Sequence, residues 1–427
     1  MRDLSTFSHA SLVPLVAVLA LILDCAPDAG PTGLNGRLSA SRDGVPFSEG
    51  LASPGWQETA RNLVVQARLG PIPAGHAYPL LGVAQYLAVQ QAETAAGGTD
   101  VNPANASGNG IGAGGRARLE TDRGAVAGAS VVVLSYLFPG QAQALEDTVA
   151  AQANTGPGQP HPAFAAGEAI GREVGTEIVA RAKADGFTKP NTATPPVGPG
   201  FWTSSAIPPQ PVNGGQLPGV LPWFLTSASQ FRPAPPPAFG SPEFDAALAE
   251  IRQISDTRTA EQVRIATFWA LAAGTVTGSG FWLEVASRDV IQHGLSEREA
   301  THLYALLSAT MADAAIGCWD AKLTYWLIRP WKADVAVTVV PAVGMPNHPS
   351  YPSGHSCVSA SAAEVLTAFF PEERAQLDAM VIEAGLSRMY AGIHYRFDIE
   401  AGQALGRSVA RFAIATDASG SSVLTPN

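Results

Sequence analysis

Pro352-Ser353-Gly354-His355 runs through Ser356 into an alanine-rich stretch, Cys357 to Phe370, whose apolar residues recur at helical spacing. That reading puts Ser353, Gly354 and His355 at a helix N-terminus, where free N–H groups and the helix dipole attract anions. Gly354 lets the backbone approach closely, and Ser353 can cap the helix or bond the anion. Upstream, Asp313 to Ile328 reads as helix, ended by Arg329-Pro330. Lys322 and Arg329, seven residues apart, then point the same way. Downstream stands Ser387-Arg388, followed by His394 and Asp398 at i and i+4. A helix there lets the Asp398 carboxylate reach one ring nitrogen of His394 and leaves the other free.

The three segments supply three cations, two imidazoles, a hydroxyl, a glycine amide and a carboxylate. Arg329 and Arg388 offer rigid forks and Lys322 a point charge, which suits a small tetrahedral oxyanion such as phosphate or vanadate. Two imidazoles then serve as acid, base, nucleophile or ligand at that anion. Each segment alone is ordinary: a solvated helix face, a helix start, a surface His–Asp contact. Their occurrence together, in this order, predicts one shared site.

Outward from the site, helical periodicity recurs over 55–69, 75–96, 121–137, 141–154, 162–185, 241–254, 259–273, 281–293, 296–328, 357–370, 372–386 and 398–416. Hydrophobic residues are 46% of the 427-residue chain but aromatics only 7%, so alanine dominates, which favours close-packed helices over sheet. The expected fold is all-α: two helical bundles with long connecting loops. An N-terminal bundle spans 50–187 and a C-terminal bundle with the oxyanion site spans 243–416. Between them, 188–242 holds 14 of the 34 prolines and reads as an ordered wrap. Its aromatics Phe201, Trp202, Trp223, Phe224 and Phe231 are expected to pack against the body. The Gly/Asn-rich stretch 97–115 reads as a loop.

The segments resemble the signature shared by type 2 phosphatidic acid phosphatases, bacterial nonspecific acid phosphatases and vanadium-dependent haloperoxidases. The surrounding text is similar to the soluble haloperoxidase-like branch: Ala315-Ile316-Gly317-Cys318-Trp319-Asp320-Ala321-Lys322, Asn347-His348-Pro349-Ser350-Tyr351 and Glu383-Ala384-Gly385-Leu386-Ser387-Arg388. The likeness is specific at the motifs and runs from about Phe231 to Ala415. It implies that Lys322, Arg329, Ser353, Gly354 and Arg388 hold the oxyanion. It implies that His394 is the vanadium ligand of a peroxidase or the phosphorylated nucleophile of a phosphatase, with Asp398 orienting it and His355 as acid/base. It also implies a halide pocket at Trp319 and His348, the histidine pointing to bromide.

Three readings stay open. The leading one is a vanadate-dependent haloperoxidase using hydrogen peroxide and a halide. The second is an acid phosphatase acting on phosphoesters through a phosphohistidine, and the third an exported phosphate- or vanadate-binding protein without catalysis. The net charge of −10 and a pI near 5.3, with no basic run outside the proposed pocket, argue against nucleic acid. Cys25, Cys318 and Cys357 are too few for a disulfide framework. A run from Leu12 to Leu23, after Arg2 and before Ala26, Ala29 and Gly30, resembles a secretory signal, so export and a signal segment over 1–30 are expected. No stretch is long and apolar enough for an integral membrane domain. A homo-oligomer is compatible with all of this.

Overall fold

The structure, a computed structural model, describes residues 50–96, 113–154 and 161–425. The expected signal segment with Cys25 and nearly all of the 97–115 loop lie outside the described residues. Thirteen α-helices appear among the described residues and no strand ladder.

The first five helices are α1 (Ser53–Gln66), α2 (Pro71–Ala96), α3 (Ala113–Leu137), α4 (Ala142–Ala153) and α5 (Pro162–Ala184). Glycines set the closest approach among them. A Cβ on Gly124 or Gly128 of α3 would stand 2.0 or 2.2 Å from a backbone oxygen of α5, and one on Gly167 or Gly171 of α5 would meet α3 equally closely. Only glycine permits that backbone-to-backbone contact.

The remaining helices are α6 (Pro242–Asp256), α7 (Ala260–Phe268), α8 (Thr277–His293), α9 (Glu297–Tyr325), α10 (Pro330–Ala333), α11 (Gly354–Phe369), α12 (Arg374–Tyr390) and α13 (Arg396–Ala418). Local chemistry starts several of them. Ser296 and Glu299 form a capping box on α9, Thr259 and Gln262 one on α7, and Ser353 caps α11. Gly294, left-handed at φ 63°, closes α8. Helix α9 runs through the middle of the molecule, packed on α2 on one side and on α11 and α13 on the other. One hydrophobic cluster therefore holds Leu81 and Val131 from the first half together with Leu307 and Leu366 from the second. No described helix is long and apolar enough to cross a membrane.

Helix α3 starts at Ala113, eight residues before the expected 121 and inside the expected 97–115 loop, and two helix ends near the site also differ from the sequence reading. Helix α9 stops at Tyr325, not Ile328, because Trp326 turns left-handed at φ 49°. The Pro-rich segment takes over the backbone there: Trp202 N–H donates to Trp326 O at 2.6 Å and Ile328 N–H to Gly200 O at 2.9 Å. Arg329 consequently does not ride two turns above Lys322. It is extended, at the N-cap of the short α10, which the sequence reading did not contain. Helix α7 stops at Phe268, short of residue 273, with Leu271 and Gly274 both at positive φ.

Residues 188–241 are almost entirely irregular, with one 3-10 turn at Leu217–Gly219. Trp202, Trp223 and Phe224 are buried and Phe231 is half-buried. Phe201 is the exception. Its ring is exposed, and its backbone makes the contact by bridging to Leu327.

Candidate active site

Six chain segments converge on one buried centre. Helix α9 brings Trp319 and Lys322, the α9–α10 junction brings Arg329, and the following loop brings His348 and Ser350. Ser353, Gly354 and His355 open α11. The end of α12 brings Arg388, and the entry to α13 brings His394 and Asp398. Lys322, Arg329, Ser353, Arg388, His394 and Asp398 are each at most 2% exposed, so their polar groups act in a medium that amplifies charge.

His394 and Asp398 form the pair the spacing predicts, although the helix starts only at Arg396. His394 Nδ1 lies 2.7 Å from Asp398 Oδ2. A carboxylate oxygen only accepts, so Nδ1 carries the proton and Nε2 keeps the lone pair. Asp398 Oδ2 also receives the Ser350 hydroxyl at 2.5 Å and the Tyr395 N–H at 3.1 Å. Burial pushes the Asp398 carboxyl up to about 6, opposed by the Ser350 bond and by Lys322 and Arg329.

Arg329 is the junction of the site. Its Nη1 lies 3.0 Å from His394 Nε2 and donates to Ile393 O at 2.6 Å. Its Nε donates to His348 O at 2.9 Å and its Nη2 to His348 Nδ1 at 3.0 Å. Lys322 gives its three N–H bonds to the carbonyls of Pro349, Ser350 and Pro352, the first two at 2.8 and 2.9 Å. It thereby shapes the loop leading into α11 and acts on the centre through its charge. Arg388 donates to Ser387 Oγ and to Ala266 O. Burial lowers all three cations, Lys322 to about 8, Arg329 to about 10 and Arg388 to about 9.

The imidazoles respond to the same surroundings. His355 Nε2 donates to Trp269 O at 2.9 Å. Burial, then Arg388, lowers His355 to about 3. Burial and the neighbouring cations hold His348 and His394 well below the ordinary imidazole range. The centre without an anion thus holds neutral imidazoles beside buried cations. A multiply charged anion reverses that balance: it neutralises the cations and favours protonation of His355.

Trp319 and His348 face each other at the rim, with ring centroids 5.1 Å apart. Trp319 Nε1 donates to Asn213 O in the Pro-rich segment. A Cβ on Gly354 would stand 3.4 Å from the Trp319 ring, so glycine keeps open the space between the indole and the first amides of α11. All ten sequence-predicted positions thus lie in one region. Sequence reasoning missed Ser350 and the Trp269 carbonyl, which hold Asp398 and His355. Ser350 stands in one of the quoted resembling runs without a role attached, and a carbonyl leaves no mark in a sequence.

The family model described as the PAP2 superfamily matches residues 301–418, a span containing every position from Trp319 to Asp398. A non-specific acid phosphatase from Providencia stuartii is 31% identical over 188 residues, covering 43% of this chain and 71% of that relative. The chain belongs to the PAP2 superfamily. Solved structures share the fold over most of the chain. A bacterial vanadium-dependent iodoperoxidase superposes with a TM-score of 0.69 at 24% identity, covering 85% of this chain and 96% of that one. A holo-type bacterial vanadium-dependent chloroperoxidase superposes with a TM-score of 0.65 at 15% identity, covering 87% and 98%. At these identities the likeness shows the all-α fold.

Beside this PAP2 centre lies a cavity of about 930 Å³, counted to its open mouth. His355, Gly354 and Trp319 belong to its lining, and the rest of the wall is mostly apolar. The wall combines α2, α9 and α11 with the Pro-rich segment, whose position is held by a buried carboxylate. Asp313 of α9 accepts the N–H groups of Trp223, Phe224 and Leu225 at 2.7 to 2.9 Å. Arg181 stacks on the Trp223 ring at 4.1 Å and donates to Leu221 O and Pro222 O.

Proposed function

We propose that the protein is a vanadate-dependent haloperoxidase, using hydrogen peroxide to oxidise a halide, with bromide the favoured one. The observation that carries the reading is Arg329 bridging two imidazoles, His394 Nε2 and His348 Nδ1, with the Trp319 ring against His348. An indole and a further neutral imidazole beside the reacting nitrogen suit a polarisable halide. Phosphoryl transfer has no evident use for them. The chemistry of the donor set fits vanadate: a lone-pair nitrogen on a partnered histidine, buried cations and the first amides of α11.

The residue roles follow. His394 Nε2 would hold the vanadium, and Asp398 with Ser350 keeps its tautomer and orientation. Arg329, Arg388, Lys322, Ser353 and the Gly354 amide would balance the oxyanion's charge. When bound, vanadate supplies the activation of peroxide. His355, neutral until the anion arrives, would move the proton between peroxide and solvent. The domain limits 50–187, 188–242 and 243–416, and export by the N-terminal segment, are part of the same proposal.

The identity to an acid phosphatase favours one second reading, hydrolysis of phosphoesters through a phosphorylated His394. A pocket for five-coordinate phosphorus holds vanadate for the same geometric reason. The two differ in sign. Orthovanadate added to purified protein should switch on peroxide-dependent bromination under the first reading and inhibit phosphoester hydrolysis under the second. Strong hydrolysis inhibited by vanadate, without bromination between about pH 5 and 8, would replace the first reading by the second.

A further inference from the structure

The cavity beside the centre contains a second histidine–carboxylate pair. His76 of α2 lines it, with Nε2 2.6 Å from Oδ2 of Asp185, which lines it too. Asp185 is itself fixed: its Oδ1 accepts the Phe187 N–H at 2.8 Å and its carbonyl accepts the Leu221 N–H at 2.7 Å. The His76 ring stacks flat on Phe187, centroids 3.9 Å apart and planes 7° apart. Since the carboxylate only accepts, the neutral ring carries its proton on Nε2 and keeps a lone pair on Nδ1. None of the hydrogen bonds among the described residues uses Nδ1. The Phe187 stack on one face and the Asp185 bond at one edge therefore hold in place an acceptor in the wall of an apolar cavity.

The same cavity is lined by His355 and by Ile72, Leu217, Trp223, Trp269, Ile316 and Val358. Rings and branched chains of that kind bury an aromatic ligand well. We infer that this cavity binds a ring-bearing organic substrate with one hydroxyl, a phenol, whose O–H donates to His76 Nδ1 while its far end points toward His355 and Gly354. What happens at that far end rests on the oxyanion reading. The binding itself does not. His76 and Asp185 lie outside the residues 301–418 that match the superfamily, so this end of the cavity belongs to the chain's N-terminal half.

The test is calorimetric titration of 4-phenylphenol into the full-length protein, without peroxide, halide or added oxyanion, alongside titration of sulfate. Wild type should bind the phenol. His76→Ala should weaken it about tenfold, the scale of one hydrogen bond to a buried acceptor. 4-Methoxybiphenyl, which cannot donate, should bind wild type and His76→Ala equally. Ala315→Phe, which fills the cavity from α9, should abolish phenol binding. If that variant does not fold, Leu221→Trp at the half-exposed mouth should weaken it instead. Sulfate affinity should stay at the wild-type value in all these variants. Failure of wild type to bind the phenol would overturn the inference, as would wild-type affinity in the cavity-filled variant. Unchanged affinity in His76→Ala would overturn the role given to the His76–Asp185 pair. Phenol binding without sulfate binding would sink the oxyanion reading alone.

Discussion

Arg329 Nη1 stands 3.0 Å from His394 Nε2, while the far side of the same ring is held 2.7 Å from Asp398. Nε2 is therefore the only reactive atom of His394 and it already faces a cation. His394→Ala should abolish both vanadate-dependent bromination and phosphoester hydrolysis with the circular dichroism spectrum unchanged. Substantial turnover in that variant would remove His394 from its role.

Arg329 and Arg388 should separate in stability. Either change to alanine should weaken sulfate or vanadate binding by ~1.5–3 kcal/mol, the scale of charge-assisted hydrogen bonds. Arg329→Ala strips donors from two carbonyls, His348 O and Ile393 O, where Arg388→Ala strips one, Ala266 O, each orphan costing about 1–3 kcal/mol if left dry. Its Tm should fall clearly below that of Arg388→Ala. Equal melting temperatures would contradict the bracing assigned to Arg329.

His355 should take up a proton when an anion binds. In the free centre, burial and Arg388 lower it to about 3, so it is neutral near pH 6. Added negative charge raises it, so the complex binds more protons than the free protein. Sulfate titrated near pH 6 in two buffers of different ionisation enthalpy reads that uptake directly. It should shrink in His355→Gln, and an identical uptake in the variant would exclude His355 as the responding group.

Asp313 should leave a pH signature in stability. Burial raises it to about 6 despite the three N–H donors it accepts. Between its ordinary range near 4 and about 6 the folded state holds the proton more tightly than the unfolded chain. Its contribution is full below that window and is lost as pH rises through it. The stability deficit of Asp313→Asn, measured by urea unfolding, should therefore narrow from pH 4 to pH 7. A deficit that widens over that range would refute the sign.

Trp319→Phe keeps a ring beside His348 but loses the bond to Asn213 O. Under the haloperoxidase proposal it should change the KM for bromide several-fold with vanadate affinity nearly constant. Unaltered halide kinetics would remove Trp319 from the halide pocket.

The chain's order of residues determined the helices and the inventory of the site. Alanine-rich periodicity marks α11, Ser296 and Glu299 mark the start of α9, and the Lys322 to Asp398 motifs name the reacting groups, because each signal lies within a few turns of its own helix. Tertiary structure alone decided how those groups are held. Arg329 left the helix because the distant Gly200 and Trp202 captured the backbone around Trp326, and Lys322 spent its donors on carbonyls of the 349–352 loop. Likewise Asp313 pins Trp223, Phe224 and Leu225 across the fold, and Asp185 turns His76 into a fixed acceptor. Contacts of this kind join residues far apart in the chain, often through backbone atoms that every residue shares. They have no period and no preferred residue type, so they become visible only when the helices pack.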